Sequence, residues 1–299
     1  MNEESGHALH ALSSDGVQLE IGSVLVRIRS SLPGVSEHLK RFYTGFSIRP
    51  LPFGHYDVSI VGTPGLRRFI RPQATLVANS RVPFLPLPSA LAGPLMEWGI
   101  NWCFGQCGQT SLAVHAAVVE RAGRTMIMPA QSGSGKSTLC AALVYSGQWR
   151  LFSDEFALID TRTAALSPSP RPISLKERAV DIIKARYPDV VVGPEGRDVE
   201  KQRFVHAKPP ATSVARAKET APPGWVVFPK YVPGARTTIE RVARAQALVR
   251  LADESFNYNQ FGRVGYDRLV DIVRASDCYS LEYSDLDDLL PRLAALTAA

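Results

Sequence analysis

Residues 129–138, with the sequence PAQSGSGKST, constrain the fold of this chain more than any other segment. Small residues followed by Gly-Lys-Ser-Thr are typical of a phosphate-binding loop between a strand and a helix. Glycines 133 and 135 allow backbone angles closed to other residues and keep side chains away from an approaching anion. The N–H groups of the loop and of the following helix then surround a phosphate chain. The segment predicts a helix that begins near Lys136 and a site that binds phosphates.

The loop also predicts individual roles. We expect Lys136 to reach the terminal phosphates and the Ser137 hydroxyl to bind a magnesium ion. Ala130 stands where the full pattern G-x-x-x-x-G-K-[ST] has glycine, so we expect an ordinary backbone angle there and a slightly reshaped loop. The alternative is a glycine-rich turn that happens to precede a lysine. The residues expected to contact the nucleotide are Ser132, Gly133, Ser134, Gly135, Lys136, Ser137 and Thr138.

Strand and helix patterns flank this loop. Residues 112–120 and 125–128 are strand-like runs joined by a turn short enough for a hairpin. Residues 137–145 have helical periodicity, with Gly147 as a C-terminal stop. Residues 149–152 form a short strand that ends at Asp154 and Glu155. Because a right-handed crossover brings the ends of parallel strands to one edge of a sheet, we expect this carboxylate pair to face Lys136.

The two carboxylates have complementary chemistry beside a phosphate chain. One can hold magnesium while the other accepts the proton of an attacking hydroxyl. Their order suggests Asp154 as the base and Glu155 as the metal partner. The alternative is that one or both only cap a strand end or form a salt bridge there.

The N-terminal part of the chain predicts a small α+β region over residues 1–88. Residues 17–21, 24–29 and 56–61 alternate like strands, residues 35–43 have helical spacing, and residues 1–16 are expected to be disordered. Pro83, Pro86 and Pro88 mark a linker to a second domain over residues 89–299. Residues 90–106 are apolar and permit a helix, in which Trp98 and Trp102 are expected to serve packing.

Composition excludes several classes of protein. With 45% hydrophobic and 21% charged residues, the chain of 299 residues is typical of a globular protein of about two domains. No run approaches the ~18 apolar residues that span a bilayer, and residues 1–5 lack signal-peptide features, so we expect a cytoplasmic protein without membrane contact. The four cysteines are too scattered for a disulfide framework. Cys103 and Cys107 offer half a metal site, but buried thiols are the favoured interpretation.

The formal charge of +6 is concentrated in one part of the chain. Residues 201–250 hold ten Lys or Arg and two Asp or Glu. This surplus favours an anionic partner, and the alternative is an ordinary solvated surface. No zinc-finger spacing, aromatic RNP run or helix-turn-helix accompanies it, so nucleic acid is not an expected partner.

Later segments offer weaker candidates. Lys176 is a candidate phosphate ligand and Glu177 a candidate second metal ligand. The alternative for each is an ordinary surface residue. Residues 203–210, which include His206 and Lys208, are expected in or beside a loop, either as a clamp on nucleotide or substrate or as a solvated loop. Helical periodicity returns over residues 239–251. The leucine-rich residues 286–296 contain Pro291, which is expected to break a helix or to open its last turns.

Three segments together carry a family resemblance. His115-Ala116-Ala117-Val118-Val119, the loop Ser132-Gly133-Ser134-Gly135-Lys136-Ser137 and Phe152-Ser153-Asp154-Glu155 resemble the catalytic core of HPr kinase/phosphorylase and, more distantly, phosphoenolpyruvate carboxykinase. The HPr-kinase-related kinases of the A type look most similar, and the resemblance extends more weakly over residues 97–102, 172–176 and 227–231. It implies an α/β P-loop kinase core that uses ATP and magnesium. It also implies His115 at the active site, Lys136 on the phosphates, Ser137 on magnesium, Asp154 as general base and Glu155 where the family has a second aspartate.

The predicted function is transfer of the terminal phosphoryl group of Mg-ATP to a hydroxyl. By resemblance, the acceptor is a serine of a peptide or protein, and the protein forms a homo-oligomer. A small-molecule kinase and an ATP-dependent switch that works through partners stay open as alternatives. The donor, whether ATP, GTP or pyrophosphate, and any reverse reaction also stay open. So do the roles of Glu177, His206 and Lys208.

Overall fold

The structure of the chain is a computed structural model that describes residues 8–107, 111–131 and 133–298. The predicted nucleotide contact at Ser132 therefore lies outside the described residues, as do residues 1–7 and the side chain of Cys107. The fold is mixed α/β, with a six-stranded sheet, an eight-stranded sheet and a small three-stranded sheet. The broad fold class predicted from the sequence is thus confirmed.

The N-terminal sheet has the strand order β3-β1-β2-β4-β5-β6. Its strands are β1 (Val17–Ile21), β2 (Val24–Ser30), β3 (Ile48–Arg49), β4 (Tyr56–Gly62), β5 (Gln73–Ala78) and β6 (Leu87–Pro88). Strands β2 and β4 are parallel, while the other neighbours are antiparallel. The alternating apolar residues of β1 and β2 are buried on one face, as the sequence predicts.

Helices α1 (Pro33–Phe42) and α2 (Ala92–Cys107) pack together over this sheet. Helix α2 is apolar on most of its surface, and it buries Leu95, Met96 and Ile100 in the same core as the strands. A helix that is apolar all round needs neighbours on several sides. The predicted boundary at residue 88 therefore falls just before a helix that completes the N-terminal core.

The larger sheet has the order β11-β10-β7-β8-β15-β17-β16, and β9 pairs with β7 beside β10. Its strands are β7 (Ser111–Arg121), β8 (Arg124–Pro129), β9 (Arg150–Ser153), β10 (Phe156–Asp160), β11 (Leu166–Ser167), β15 (Pro223–Tyr231), β16 (Thr238–Arg241) and β17 (Asp277–Tyr283). Strands β8, β15 and β17 are mutually parallel, and β7 and β8 form the predicted antiparallel hairpin.

Both faces of the larger sheet are covered by helices. The helices of this part are α3 (Lys136–Tyr145), α4 (Arg178–Arg186), α5 (Ala211–Ala215), α6 (Arg244–Asp253), α7 (Tyr258–Phe261), α8 (Arg263–Ala275) and α9 (Leu286–Leu296). Met126 and Met128 of β8 pack with α3, α4 and α9, whereas Ile127 packs with α6 and α8 on the other face. Since successive side chains of a strand point to opposite faces, the continuous apolar run of β8 is explained by burial on both sides.

The three-stranded sheet consists of β12 (Ile173–Lys176), β14 (Arg203–Ala207) and β13 (Gly196–Arg197), with β14 in the middle. Residues 203–210, which were expected in or beside a loop, form a strand over their first half and no regular structure after it. Phe204, Val205 and Ala207 are buried, and the backbone of β14 pairs on both sides. Burial of its apolar side chains outweighs the charge of Arg203 in fixing this segment as a strand.

Three other sequence predictions need correction. Residues 8–16 include a short 3₁₀ helix, Leu9–Ser13, whose Leu9 and Leu12 pack into the N-terminal core. Residues 239–251 are not one helix, because β16 pairs with β17 before α6 begins. Pro291 lies inside α9 and does not end it, since burial of Leu289 and Leu293 compensates for the lost backbone hydrogen bond.

The described ranges 8–107, 111–131 and 133–298 contain no helix with the length and apolar character needed to cross a membrane.

Candidate active site around the phosphate-binding loop

The loop between β8 and α3 has the backbone that its sequence predicts. Gly133 and Gly135 have φ values of +85° and +87°, in the left-handed region that glycine adopts without steric cost. Gly135 precedes α3 directly, and no side chain caps this helix, so its first-turn N–H groups stay available to an anion. Ala130 has no positive φ, as expected for a residue with a Cβ.

Two tyrosines at the ends of neighbouring parallel strands hold one side of the loop. The N–H of Tyr231 donates to the Ser134 carbonyl at 2.9 Å, and the Tyr283 hydroxyl donates to the Gly135 carbonyl at 3.1 Å. A Cβ on Gly135 would lie 2.6 Å from the Tyr283 hydroxyl oxygen, whereas a Cβ on Gly133 would meet nothing within 4 Å. The loop is therefore fixed to the sheet at Gly135 and open at Gly133.

Asp154 and Glu155 lie in a break between strands β9 and β10, which both pair with β7. Strand β10 pairs with the first half of β7 and β9 with its second half, so Asp154 and Glu155 interrupt one continuous edge. The Ala116 N–H still donates to the Glu155 carbonyl, at 3.3 Å. Strands β8 and β9 point the same way on opposite sides of β7, which brings the pair to the edge where the loop lies.

Asp154 is buried and only half satisfied. Its side chain is 4% exposed, Oδ2 accepts from the Ser174 N–H at 3.3 Å, and Oδ1 has no hydrogen-bond partner among the described residues. Burial and the charge of Glu155 raise the pKa of Asp154 to about 7, against the opposing effects of Lys136 and the nearby Ser137 hydroxyl. An acid that titrates near neutral pH can both accept and release a proton. The buried Ser134 hydroxyl in the loop also lacks a partner in the described part of the chain.

His115 connects the loop lysine to the carboxylates. Its Nε2 lies 2.7 Å from Lys136 Nζ and 3.8 Å from a Glu155 oxygen, and its Nδ1 lies 3.3 Å from Glu254 Oε2. Burial and the charge of Lys136 lower the pKa of His115, so the imidazole is neutral at neutral pH. Because an ammonium only donates, Nε2 accepts from Lys136 and the ring proton lies on Nδ1, facing Glu254.

Glu254 is a site residue that sequence patterns missed. It follows α6, and the backbone from Glu254 to Asn257 docks on the first half of β7: the His115 N–H donates to the Glu254 carbonyl at 2.8 Å, and the Phe256 N–H donates to Ala113. The buried Asn257 amide adds hydrogen bonds to residues 111 and 113. The neighbouring residues Ser255-Phe256-Asn257-Tyr258-Asn259 contain no pattern that assigns them a role. No local pattern pairs Glu254 with His115, which lies far away along the chain.

The outlying candidates have partners elsewhere. Lys176 Nζ binds Asp198 at 3.0 Å, and the Glu177 carboxylate accepts from the Arg203 N–H at 2.6 Å, both within the three-stranded sheet. The structure thus brings Lys136, Ser137, His115, Asp154 and Glu155 together, while the expected phosphate contact of Lys176 stays a prediction.

His206 and Lys208 also belong to the packing of this sheet. His206 is buried edge-on against His38, and burial lowers its pKa to about 3. The Lys208 carbonyl accepts from the Tyr145 hydroxyl at 2.9 Å. Both residues therefore have structural contacts that do not require a nucleotide.

A buried polar cluster joins the N-terminal region to the active-site side. Glu97 of α2 accepts hydrogen bonds from His38 at 2.8 Å, Tyr43 at 2.8 Å and Arg171 at 2.9 Å. Burial alone would raise the pKa of Glu97, but the hydrogen bond from His38 and the charges around it lower the pKa to about 2. Arg171 also donates a hydrogen bond to the side-chain amide oxygen Oδ1 of Asn101, because a guanidinium has no acceptor. The cluster fixes α2 against the segment that leads to Ser174.

A cavity of about 290 Å³ opens beside His115 and Glu155, which both line it. The aromatic residues of its wall are Phe84, Trp98, Trp102, Phe156 and Phe256. Trp98 and Trp102 pack partly on the N-terminal core, as the sequence predicts, but they also face this cavity. Their second role depends on how α2 meets the larger sheet, which the spacing of two tryptophans does not reveal.

The loop and the carboxylate pair offer oxygen donors for a metal ion. No group of three or more His, Cys, Asp or Glu side chains suited to a metal ion occurs in the part of the chain that is described. Cys103 is buried, and its proposed partner Cys107 has no described side chain. Magnesium is commonly held by one or two carboxylates together with substrate phosphates, and Ser137, Asp154 and Glu155 suit that arrangement.

Part of the positive charge of residues 201–250 is paired with acids in the structure. Several side chains of this segment form ion pairs with acids of other segments, namely Arg203 with Asp181 and Glu195, Lys218 with Glu20, Lys230 with Glu282 and Arg241 with Asp277. The positive charge of this segment is therefore partly neutralised by ion pairs in the folded protein.

The arrangement can bind an anion at the loop, hold a proton at Asp154 and admit a second molecule at the cavity. Glu155 and Glu254 lie beside His115, and Asp154 lies near Glu155 and Lys136, so a bound cation would reduce the repulsion between these carboxylates and an anion. A scan against models of protein families and a search of curated proteins each returned no match. The functional assignment therefore depends on the geometry and on the residues themselves.

Proposed function

We propose that this protein is a Mg-ATP-dependent kinase with an HPr-kinase-like P-loop core, which transfers the terminal phosphoryl group to a hydroxyl. The acceptor in this proposal is a serine of a peptide or protein, which rests on the sequence resemblance described above. A homo-oligomeric assembly belongs to the same proposal and has the same basis. A cytoplasmic location is also proposed, from the sequence features described above.

The single observation that carries the proposal is the half-satisfied carboxyl of Asp154. One of its oxygens is fixed by the Ser174 N–H, the other has no partner in the described structure, and its pKa is raised to about 7. A purely structural buried carboxylate normally has both oxygens hydrogen-bonded. A free oxygen with a pKa near neutrality, next to a phosphate-binding loop, is what a general base requires.

The transfer step follows from these positions. The acceptor hydroxyl oxygen forms a bond to the terminal phosphorus, the bond from that phosphorus to the bridging oxygen breaks, and ADP leaves. The hydroxyl proton passes to the Asp154 carboxylate. The N–H groups at the start of α3 and the Lys136 ammonium stabilise the charge on the phosphate oxygens.

His115 acts on Lys136 in this scheme. In the structure its Nε2 accepts from the Lys136 ammonium, while Glu254 holds the ring proton on Nδ1. This hydrogen bond fixes the position of the Lys136 Nζ group beside His115. We therefore assign His115 and Glu254 to positioning the charge that meets the phosphates.

The donor set suits a magnesium ion held jointly by protein and phosphates. Ser137 and Glu155 would hold it, with the unpartnered Asp154 oxygen nearby, and the ion would neutralise the charge that repels ATP from the carboxylates. Oxygen donors of this kind are the ligands that magnesium prefers.

The test uses the whole protein with labelled ATP, magnesium and a pool of serine-containing peptides. We expect label on peptide, lost on Asp154→Asn, while binding of Mg-ATP measured by thermal shift is kept. The matched control is Asp189→Asn, which changes an exposed carboxylate.

Glu155→Gln separates the two carboxylates. This variant should bind magnesium more weakly, so that half-maximal phosphoryl transfer requires a higher magnesium concentration. If Asp154→Asn keeps transfer and Glu155→Gln abolishes it, the two roles are exchanged and our base assignment is wrong. Release of phosphate that is indifferent to every acceptor would support the ATP-dependent switch instead.

A further inference from the structure

The residues that line the cavity beside Glu155 lie outside the phosphate-binding loop. His115 and Glu155 form one part of its lining, and Trp98, Trp102 and Phe256 form much of the rest. Rings also contact each other along the wall, since Phe256 lies 5.8 Å from His115 and 5.2 Å from Phe156 between ring centroids. An aromatic wall that reaches the positioning residue His115 and the proposed metal ligand Glu155 is suited to hold a second reactant.

We infer that this cavity binds a large apolar side chain, aromatic or aliphatic, adjacent to the phosphorylated serine of a peptide acceptor. The inference rests on the proposed kinase function and specifies its acceptor. Burial of one large apolar side chain is favourable in proportion to the area removed from water, and aromatic walls add directional ring contacts.

The size and shape of the cavity favour a single side chain of a longer molecule. Its volume of about 290 Å³ is at the lower limit of pockets that enclose whole small molecules, which run from about 300 to 1,000 Å³. Phe84 of its wall belongs to an apolar segment in which Val82 is 60% exposed and Leu85 is 85% exposed. An occupant can therefore extend from the cavity over an exposed apolar rim, as a peptide would.

Two amide side chains at the cavity suit the backbone of such a peptide. Asn101 and Gln106 both line it. The Arg171 guanidinium donates to the side-chain oxygen Oδ1 of Asn101. The side-chain nitrogen Nδ2 is then the group that can donate to a peptide carbonyl. Gln106 is exposed and offers both a donor and an acceptor.

Gly105 provides a direct way to fill the cavity. A Cβ at this position would lie 3.5 Å from Phe256 and 3.6 Å from Phe156, which is ordinary van der Waals contact, so alanine fits without displacing either ring. Gly105→Leu should then occupy space that the acceptor side chain needs. Ala185→Leu, on the exposed side of α4, is the matched control because it adds a leucine to a helix surface elsewhere.

The probes are synthetic peptides Gly-Gly-Xaa-Ser-Gly-Gly and Gly-Gly-Ser-Xaa-Gly-Gly, in which Xaa is Phe, Leu, Ala or Asp, together with free serine. Binding is measured by the change in tryptophan fluorescence, which Trp98 and Trp102 report because they line the cavity. The other two tryptophans, Trp149 and Trp225, are buried at 5% and 3% exposure. Phosphoryl transfer from labelled ATP is measured separately. We expect at least tenfold tighter binding and higher kcat/KM for Phe or Leu than for Asp in one of the two series.

Gly105→Leu should remove this preference by raising the acceptor KM at least tenfold, with Gly105→Ala intermediate and Ala185→Leu unchanged. Thermal stabilisation by Mg-ATP reports whether each variant is folded. Equal binding of all peptides, or transfer to free serine as efficient as to the Phe peptide, would overturn the inference while leaving the kinase proposal intact. Preferential binding without any transfer would instead refute the kinase proposal and support the specificity of the cavity.

Discussion

Replacement of Asp154 by asparagine should stabilise the folded protein, increasingly so as the pH rises. The folded protein disfavours the ionised form of this carboxyl, because burial and the neighbouring Glu155 raise its pKa from 3.8 to about 7. The unfolded chain releases the proton near the lower value. Stability contributed by this group is therefore present at low pH and is lost progressively as the pH rises from 3.8 toward about 7. Asparagine cannot ionise and removes that loss.

The expected magnitude follows from the size of the shift. Each pKa unit corresponds to about 1.4 kcal/mol, so the penalty should grow by a few kcal/mol between pH 5 and pH 8. For a chain of this length, this corresponds to a change of roughly 5 °C in the melting temperature. The stability of Asp154→Asn relative to the native protein should therefore increase by that amount over the pH range.

The measurement is thermal unfolding at pH 5, 6, 7 and 8 in EDTA, without nucleotide, so that it does not depend on the proposed activity. Asp189→Asn serves as the control, since it changes a carboxyl on the exposed surface. A constant difference between Asp154→Asn and the native protein, or a loss of stability that deepens above pH 7, would refute our account of the Asp154 environment.

Three further predictions concern the loop and its surroundings. Gly135→Ala should destabilise the loop and weaken Mg-ATP binding at least tenfold in calorimetry, because its Cβ would lie 2.6 Å from the Tyr283 hydroxyl oxygen at a φ of +87°; normal affinity would contradict this. Ala130→Gly should leave Mg-ATP affinity within about twofold, since a residue with negative φ gains nothing from glycine beyond backbone entropy. Glu254→Gln should lower kcat about tenfold by weakening the hydrogen bond that holds the His115 ring proton on Nδ1, and an NMR titration should show a lower pKa for His115; an unchanged titration would exclude this positioning role.

The local parts of the site could be predicted from the sequence, because their causes lie within a few residues. The hairpin before the loop, the start of α3 at Lys136 and the left-handed Gly147 after it all follow from short patterns. The approach of Asp154 to the loop also follows from a general rule of strand and helix connection. The break that Asp154 and Glu155 make between β9 and β10 does not, since it depends on pairing with the one long strand β7.

Contacts between distant segments were beyond the reach of sequence patterns. Glu254 reaches His115 only because the backbone after α6 docks on β7. Lys176 has a neighbouring carboxylate from Asp198 because β12 and the segment before β14 belong to the same small sheet. The aromatic cavity likewise requires α2 of the N-terminal region to meet Phe156 and Phe256 of the larger sheet. Each of these contacts is set by tertiary packing.

Helix α2 connects the N-terminal core to the cavity beside the loop. It completes the N-terminal core through Leu95, Met96 and Ile100, yet it also supplies Trp98 and Trp102 to the cavity beside the loop. A fragment that begins after residue 88 would therefore keep the helix and lose the surface that positions it. The same coupling lets a mutation in the N-terminal region reshape the cavity through α2. Exchange of residues 17–107 between related chains is thus a physical route to altered partner selection.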